Sequence, residues 1–147
     1  MAAALTRVVV DCSVVVKWTI PTEDHAAAAL FGDWEHLVVG VLVPSHFPSE
    51  VISAFLRASR RGRLTTDEAR EAIRDLLALP FIICDVTAIA DRAFTLAHQH
   101  QQRAYDCLYV ALAERDGIEL WTGDERLYNA LHTQHPFVRW IADYPPR

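Results

Sequence analysis

The chain has 147 residues, of which 52% are hydrophobic and 22% are charged. That length allows one domain with a full hydrophobic core, and the composition excludes a disordered chain. The formal net charge of −5 argues against a protein whose main task is to coat nucleic acid, but it does not exclude a nuclease, because cations bound at an acidic site offset its charge.

Neither the apolar segments nor the cysteines indicate a membrane or secreted protein. No apolar run approaches the roughly 18 residues that a membrane span needs, and the N-terminus lacks the long apolar region of a secretory signal. Cys12, Cys84 and Cys107 are odd in number and lack CxxC spacing, which suits a reducing compartment better than a disulfide framework. We therefore expect a cytoplasmic protein that does not bind membranes.

Short apolar segments alternate with segments of helical periodicity along the chain. The predicted strands are residues 8–10, a segment within 37–43, 81–84, 119–122 and 137–141. The predicted helices are residues 13–18, 23–35, 45–60, 67–79, 87–101, 104–115 and 125–133. This alternation predicts an α/β fold over residues 1–147, a parallel sheet with helices on both faces. In such sheets, ligands bind beyond the carboxyl ends of the strands, where the strand order reverses.

Two acidic residues directly follow predicted strands. Asp11 ends the β-branched run "VVVD", and Asp124 follows "ELWTG". Because both lie at the carboxyl ends of strands, both are candidates for a functional site. Each could instead cap the helix that follows, and Thr122 with Glu125 has the spacing of a capping box.

Two further acids lie near the starts of apolar helices. Glu50 interrupts a core-facing stripe with helical spacing, made of Phe47, Val51, Ala54, Phe55 and Ala58. A buried carboxylate there needs a cation, donors or a proton, unless it lies at the edge of the stripe and reaches water. Asp106 opens the apolar helix "YDCLYVALAERDG", where an acid in the first turn is also favourable without any function.

The joint placement of these four acids favours a shared site over four independent caps. Carboxylate oxygens alone select hard cations, so the pattern predicts Mg²⁺ or Mn²⁺. The chemistry that such a site supports is metal-assisted hydrolysis of a phosphodiester.

Taken in order, these segments resemble the PIN-domain family, and within it the VapC-type toxins of bacterial toxin–antitoxin pairs. The segment "VVVDCSVVVKWTIP" resembles the family's opening Asp-x-Ser motif, and "VPSHFPSEVISAFLRA" resembles its inward-facing Glu helix. The segment "RAYDCLYVALAERDGIELWTGDERLYNAL" resembles the one that carries its third and fourth acids. The resemblance covers nearly the whole chain, although Cys12 and Cys107 stand where a small apolar residue such as Ala is more usual.

The resemblance implies a single-domain α/β/α PIN fold with a five-stranded parallel sheet of order 3-2-1-4-5. Its switch point would lie between the strands that end at Asp11 and Thr122. It implies a Mg²⁺- or Mn²⁺-dependent endoribonuclease that leaves 5′-phosphate and 3′-hydroxyl ends, is inhibited by a small VapB-like antitoxin and forms a homodimer. The catalytic and metal-binding residues would be Asp11, Glu50, Asp106 and Asp124, with Ser13 and Thr122 as polar support.

Other conspicuous residues have simpler interpretations. The arginines of "LRASRRGR" could contact RNA phosphates or an acidic partner, or form a solvated helix end; they are Arg57, Arg60, Arg61 and Arg63. Asp85 is interpreted as a helix-entry residue on an edge strand. His98, His100, His132 and His135 lack a third ligand at zinc spacing and are interpreted as surface or loop residues. Core positions, rather than stacking platforms for bases, are predicted for Trp18, Phe47, Phe55, Tyr105 and Tyr109.

Two rival functions are less well supported by the residues present. A phosphatase of the haloacid-dehalogenase type also begins with a strand and Asp, but it needs Asp-x-Asp and a later lysine. Here the motif is Asp11-Cys12-Ser13, and Lys17 is the only lysine in the chain. A PIN-like RNA-binding or scaffold module without catalysis would be indicated by loss of a site acid, and none is lost.

Overall fold

Five short parallel strands form the central sheet of the structure, a computed structural model that describes residues 4–20 and 24–145. The strands are β1 Thr6–Val10, β2 Val39–Pro44, β3 Ile82–Cys84, β4 Leu120–Thr122 and β5 Val138–Trp140. Their order is β3-β2-β1-β4-β5, and each neighbouring pair is parallel. The predicted α/β class and the order 3-2-1-4-5 are therefore confirmed.

Helices connect the strands in the predicted alternation. They are α1 Cys12–Val15, α2 His25–Glu35, α3 Phe47–Arg60, α4 Thr66–Leu77, α5 Ala90–His100, α6 Ala104–Asp116 and α7 Glu125–Leu131. Short 3₁₀ segments cover Val16–Trp18, Thr87–Ile89 and Ile141–Asp143. Glu23, the predicted first residue of the second helix, lies outside the described residues, and α2 begins at His25 with Asp24 as its N-cap.

The central strands are buried because helices cover both faces of the sheet. Every residue of β2 and β4 is buried, as are the last three residues of β1. The edge strand β3 is different, since Ile82 is 41% exposed and Ile83 is 57% exposed. Helix α6 contacts β1, β2 and β4, and six of its thirteen residues are buried, five of them in the run from Tyr109 to Ala113, as expected of a central apolar helix. Within residues 4–20 and 24–145, no helix has the length and apolarity that crossing a membrane requires.

The ends of several helices follow from capping residues in the sequence. Thr65 and Glu68 form a capping box at the start of α4. Gly117 ends α6 in the left-handed conformation, with φ of 64°, and Gly62 after α3 also has positive φ, 72°. Both glycines therefore lie where the sequence predicts helix ends. The turn at Gly117 leads into β4, and Thr122 is the last residue at the carboxyl end of this strand.

Two glycine-to-alanine substitutions should change stability in opposite directions. Gly117→Ala should lower the free energy of unfolding by about 1–2 kcal/mol, because an L-residue is strained at positive φ. Gly32→Ala, inside α2, should raise it by about 0.5–1 kcal/mol, because alanine favours the helix. A Cβ atom at either position meets no atom within 4 Å, so packing does not distinguish the two. Urea unfolding measures both values, and the same sign for both would contradict the helix end at Gly117.

Candidate active site

The Asp11 carboxylate lies between two hydroxyl groups at the carboxyl ends of β1 and β4. Asp11 is only 6% exposed, and Thr122 is fully buried. Oδ1 accepts hydrogen bonds from the Ser13 backbone N–H, at 3.0 Å, and from the Ser13 hydroxyl. Oδ2 accepts a hydrogen bond from the Thr122 hydroxyl. This carboxylate therefore joins two neighbouring strands whose residues are far apart in the sequence.

Backbone groups orient the two hydroxyls toward Asp11. The Gly123 N–H donates to Ser13 Oγ at 2.9 Å, and the Asp124 N–H donates to Thr122 Oγ1 at 3.0 Å. Each hydroxyl oxygen thus accepts one hydrogen bond, and its proton is directed to the carboxylate. Ser13 and Thr122, which the resemblance names as polar support, both donate hydrogen bonds to the Asp11 carboxylate.

The site raises the pKa of Asp11 from its ordinary value to about 7. Burial is the largest cause, and the negative charges of Asp106 and Asp124 add to it, whereas the hydrogen bonds from Ser13 and Thr122 act in the opposite direction. Near neutral pH, the ionised form of Asp11 is therefore held at a cost. A cation bound beside it would remove that cost.

Asp106 and Asp124 complete the acidic part of the site from α6 and from the loop after β4. Burial, followed by the charges of Asp124 and Glu50, raises the pKa of Asp106 to about 6, against the opposing charge of Arg103. Asp124 also caps α7, since its Oδ1 accepts a hydrogen bond from the Leu127 N–H at 3.1 Å. Asp11 caps α1 in the same way. The capping interpretation is therefore right for both residues and compatible with a place in the site.

Glu50 lies on α3 between the buried stripe and the cavity. Phe47, Val51 and Phe55 are buried, as the stripe predicts. The Glu50 side chain is 26% exposed, and its Oε1 lies 2.6 Å from His46 Nε2. The contact has the distance of an ion pair but not the alignment of a hydrogen bond, so both atoms are buried without a hydrogen-bond partner among the described residues. Glu50 thus turns from the core toward the other acids.

All four predicted acids line one cavity of about 580 Å³. This volume is in the range of small-ligand and substrate sites. Thr122 does not line the cavity; it is fully buried and donates a hydrogen bond to Asp11. Besides the four acids, the lining residues are Cys12, Ser13, Val16, His46, Ser49, Ser53, Ala54, Arg57, Arg103 and Tyr105.

The predicted arginine cluster divides at the cavity. Only Arg57 lines the cavity, whereas Arg60, Arg61 and Arg63 lie farther along, where α3 ends. Arg103, which the sequence analysis did not single out, lines the cavity beside Asp106. Within the described ranges, neither Arg57 nor Arg103 makes an ion pair or a side-chain hydrogen bond. Two unpaired guanidinium groups therefore border the four carboxylates.

One aromatic position differs from the prediction, and one histidine of the cavity was missed. Tyr105 was predicted in the core but is 65% exposed and lines the cavity. Tyr109, one turn later, is buried as predicted. His46 was not singled out, although its position four residues before Glu50 places the two side chains on the same face of a helix. The structure thus adds His46 and Tyr105 to the predicted site.

The remaining polar candidates lie outside the cavity. Asp85 is exposed and accepts a hydrogen bond from the Thr87 N–H at 2.6 Å, as expected of a helix-entry residue. His100 and His135 come together, with their Nε2 atoms 3.3 Å apart, and Glu114 lies 3.8 Å from His135 Nδ1. The sequence could not reveal this contact, because a fold rather than a local spacing joins the two histidines.

The two cysteines near the acids are buried and do not resemble metal-binding thiolates. Cys12 is 8% exposed and Cys107 is fully buried. Burial, followed by the charges of Glu50 and Asp11, raises the pKa of Cys12 to about 12. Burial, followed by the charge of Asp106, raises the pKa of Cys107 to about 11. Both thiols therefore stay protonated, which disfavours zinc and agrees with the predicted role as small hydrophobic residues.

The carboxylates share a cavity without converging on one ready-made ion position. Among the residues that the structure describes, no three His, Cys, Asp or Glu side chains are arranged to hold a metal ion. Like charges favour such separation until a cation is bound. The donor set nevertheless fits Mg²⁺ or Mn²⁺, because it offers carboxylate oxygens, one of which, on Glu50, is buried without a hydrogen bond. The nearby thiols are protonated and do not compete as ligands.

Comparison with known proteins agrees with the fold. The PIN domain matches residues 8–131 of the chain. The chain belongs to the PIN-domain family. Ribonuclease VapC3 of Mycobacterium tuberculosis is 33% identical to this PIN-domain protein over 129 residues, which cover 88% of this chain and 90% of that protein. Ribonuclease VapC12 of the same species is 34% identical over 137 residues, which cover 92% and 99%.

Solved structures share the fold of this PIN-domain protein. PAE2754 from Pyrobaculum aerophilum superposes with a TM-score of 0.62 at 23% identity, covering 85% of this chain and 79% of that one. VapBC2 from Rickettsia felis gives a TM-score of 0.58 at 13% identity. Its structure was solved with a bound DNA fragment from the VapBC2 promoter. That match covers 92% of this chain and 97% of the other. At these identities, the similarity supports the fold alone.

The raised pKa of Asp11 predicts how the stability of the metal-free protein depends on pH. Asp11 keeps its proton up to about pH 7 in the folded chain but loses it near 3.8 when unfolded. Between these values the folded state binds more protons, so the free energy of unfolding should fall as the pH rises. The difference of about three pKa units sets a ceiling of about 4 kcal/mol.

Urea unfolding between pH 4.5 and 7.5 in the presence of EDTA measures this dependence. Asp11→Asn should remove most of the decrease, because Asn does not titrate and can still cap α1. All other ionisable residues are the same in the two proteins, so the difference between the two curves reports the effect of the Asp11 carboxyl group, including its influence on Asp106 and Asp124. Parallel curves would show that Asp11 is ionised normally and would contradict the described environment.

Proposed function

We propose that this protein is a Mg²⁺- or Mn²⁺-dependent endoribonuclease that acts as the toxin of a VapBC-type toxin–antitoxin pair. The observation that carries the proposal is the meeting of four acids, from four separate segments, around one cavity at the switch point of the sheet. The names of the curated relatives, which are ribonucleases of the VapC type, support RNA as the substrate.

Each acid has a place in the proposed mechanism. Asp11, Glu50 and Asp106 would hold the divalent ion directly or through water, and Asp124 would complete the site or position the attacking water. When bound, such an ion supplies a Lewis acid that favours hydroxide at neutral pH and neutralises charge on the phosphate. Ser13 and Thr122 keep the Asp11 carboxylate in one orientation, so its oxygens are preorganised before substrate arrives.

The arginines at the cavity provide the contrasting charge that an RNA backbone needs. A polyanion approaching four carboxylates is repelled unless cations lie on its path. Arg57 and Arg103 border the cavity and are unpaired within the described part of the chain, so they would bind phosphates next to the bond that is cut. Arg60, Arg61 and Arg63 would extend this contact to RNA or to a partner. Hydrolysis would leave 5′-phosphate and 3′-hydroxyl ends.

Removal of one ligand should separate catalysis from folding. Glu50→Gln should lower cleavage of RNA at least about 100-fold, because a neutral amide is a poor ligand for a hard cation. The melting temperature of the metal-free variant should be equal to or above that of the wild type, because repulsion among the acids is relieved. Cleavage of defined RNAs with Mn²⁺ or with EDTA, followed by end mapping, measures the activity.

The matched control is Glu71→Gln, an exposed glutamate on α4 that does not line the cavity. Saturating Mn²⁺ should also raise the melting temperature of the wild type, because the ion binds the folded state, and it should do so less in Glu50→Gln. Wild-type cleavage by Glu50→Gln would remove Glu50 from the site. A melting temperature that Mn²⁺ leaves unchanged in the wild type would argue against the metal site as a whole.

The acidic cavity also predicts how an antitoxin would inhibit the enzyme. A guanidinium group forms paired hydrogen bonds with carboxylates, so we expect a small VapB-like partner to place an arginine against Asp11, Glu50 or Asp106. Production of the wild-type protein alone should slow bacterial growth, and Asp11→Ala should restore it. Co-expression with the neighbouring small open reading frame should restore growth and yield a complex in a pull-down.

Unrestrained growth of cells that make the wild-type protein alone, together with no complex in the pull-down, would contradict the toxin assignment. It would then favour a PIN-like scaffold without catalysis. Formation of a homodimer stays a prediction, which light scattering on the purified protein tests.

A further inference from the structure

Tyr105 is a large aromatic side chain that lies outside the core and lines the acidic cavity. It is 65% exposed, in the first turn of α6, immediately before Asp106. Exposure of a single aromatic residue is common in folded proteins and does not by itself indicate function. The position of the ring, its support and the charges around it carry the argument.

The ring of Tyr105 packs on one face against His46, which in turn packs against Tyr109. It is stacked on the His46 imidazole, with ring centroids 5.6 Å apart and an interplanar angle of 30°. His46 in turn packs edge-on against Tyr109, at 5.2 Å and 68°, and Tyr109 is 1% exposed. One face of Tyr105 is therefore fixed against a buried support, and the other face is open to solvent.

The surroundings of this open face suit an unpaired nucleotide. Arg57 and Arg103 line the same cavity and make no ion pair with other residues of the described ranges, so they are available for phosphates. Proteins that bind single strands combine such cationic groups with aromatic side chains on which bases stack. Because Tyr105 and Asp106 line the same cavity, a base on the Tyr105 ring would lie near the carboxylates.

We propose that Tyr105, supported by His46, is the platform on which an unpaired base of the RNA substrate stacks next to the bond that is cut. This inference rests on the proposed ribonuclease function and names the form of RNA that the site accepts. A base within a duplex is stacked on its neighbours and cannot reach the ring, so the platform selects unpaired RNA. Loss of the ring weakens substrate binding roughly 5- to 150-fold.

A set of matched variants tests the platform on an RNA that the wild type cleaves. Tyr105→Ala should raise KM roughly 5- to 150-fold and leave kcat within about twofold, whereas Tyr105→Phe and Tyr105→Trp should keep KM near the wild-type value. The control is Phe94→Ala. Phe94 is 68% exposed and stacks on His98, with centroids 6.1 Å apart at 25°, but it does not line the cavity. Its removal should leave KM unchanged.

Abasic nucleotides, introduced one at a time along the RNA, locate the stacked base. At one position, loss of the base should raise the KM of the wild type by the same factor as the Tyr105→Ala substitution does. At that position, loss of the base should not raise the KM of the Tyr105→Ala variant any further. Additive effects at every position, an unchanged KM for Tyr105→Ala, or a loss confined to kcat would overturn the platform while leaving the ribonuclease intact. A wild type that cuts no RNA would overturn both proposals.

Discussion

A buried carboxylate bound by two hydroxyls at the switch point of the sheet determines how the rest of the site is built. Burying an ionised Asp is costly unless donors surround it. Ser13, two residues later, and Thr122, at the end of the neighbouring strand, supply those donors. The backbone N–H groups of Gly123 and Asp124 fix both hydroxyls. Asp11 thereby couples the pairing of β1 and β4 to the position of Asp124.

The same edge of the sheet explains why all four acids lie near the starts of helices. In a parallel α/β sheet, the carboxyl ends of strands and the starts of the following helices meet on one side. A negatively charged side chain near a helix N-terminus stabilises the helix by about 0.3–1 kcal/mol. Asp11 and Asp124 cap α1 and α7, and Glu50 and Asp106 lie in the first turns of α3 and α6. The fold can therefore collect carboxylates there with less penalty than elsewhere.

This dual role also explains how much of the site could be predicted from the sequence. Asp11 and Asp124 were recognisable because they end β-branched or aromatic strands, yet a cap and a site residue have the same local pattern. Glu50 was the clearer signal, since a charge interrupts an apolar stripe. The sheet order, implied by the family resemblance, set the expectation that these segments meet, and the structure confirms that order.

Other features depend on contacts that a local pattern does not contain. The Ser13 and Thr122 hydroxyls converge on Asp11 only once β1 and β4 pair. The prediction for Tyr105 was wrong because an apolar helix predicts burial for all its turns, whereas Ala104 and Tyr105 at the start of α6 are exposed. His46 could have been found from its spacing to Glu50. Arg103 could not, because nothing in its neighbourhood distinguishes it from other surface arginines.

The central claim is that Asp11 is buried among acids that a divalent cation holds together. It is tested most directly by NMR, through the ¹³C chemical shift of the Asp11 carboxyl group during a pH titration with and without saturating Mg²⁺. Without Mg²⁺ the midpoint should lie at about 7, and with Mg²⁺ it should fall below about 5, because the cation stabilises the ionised form. An ordinary midpoint in the absence of metal, or one that Mg²⁺ does not move, would contradict the claim.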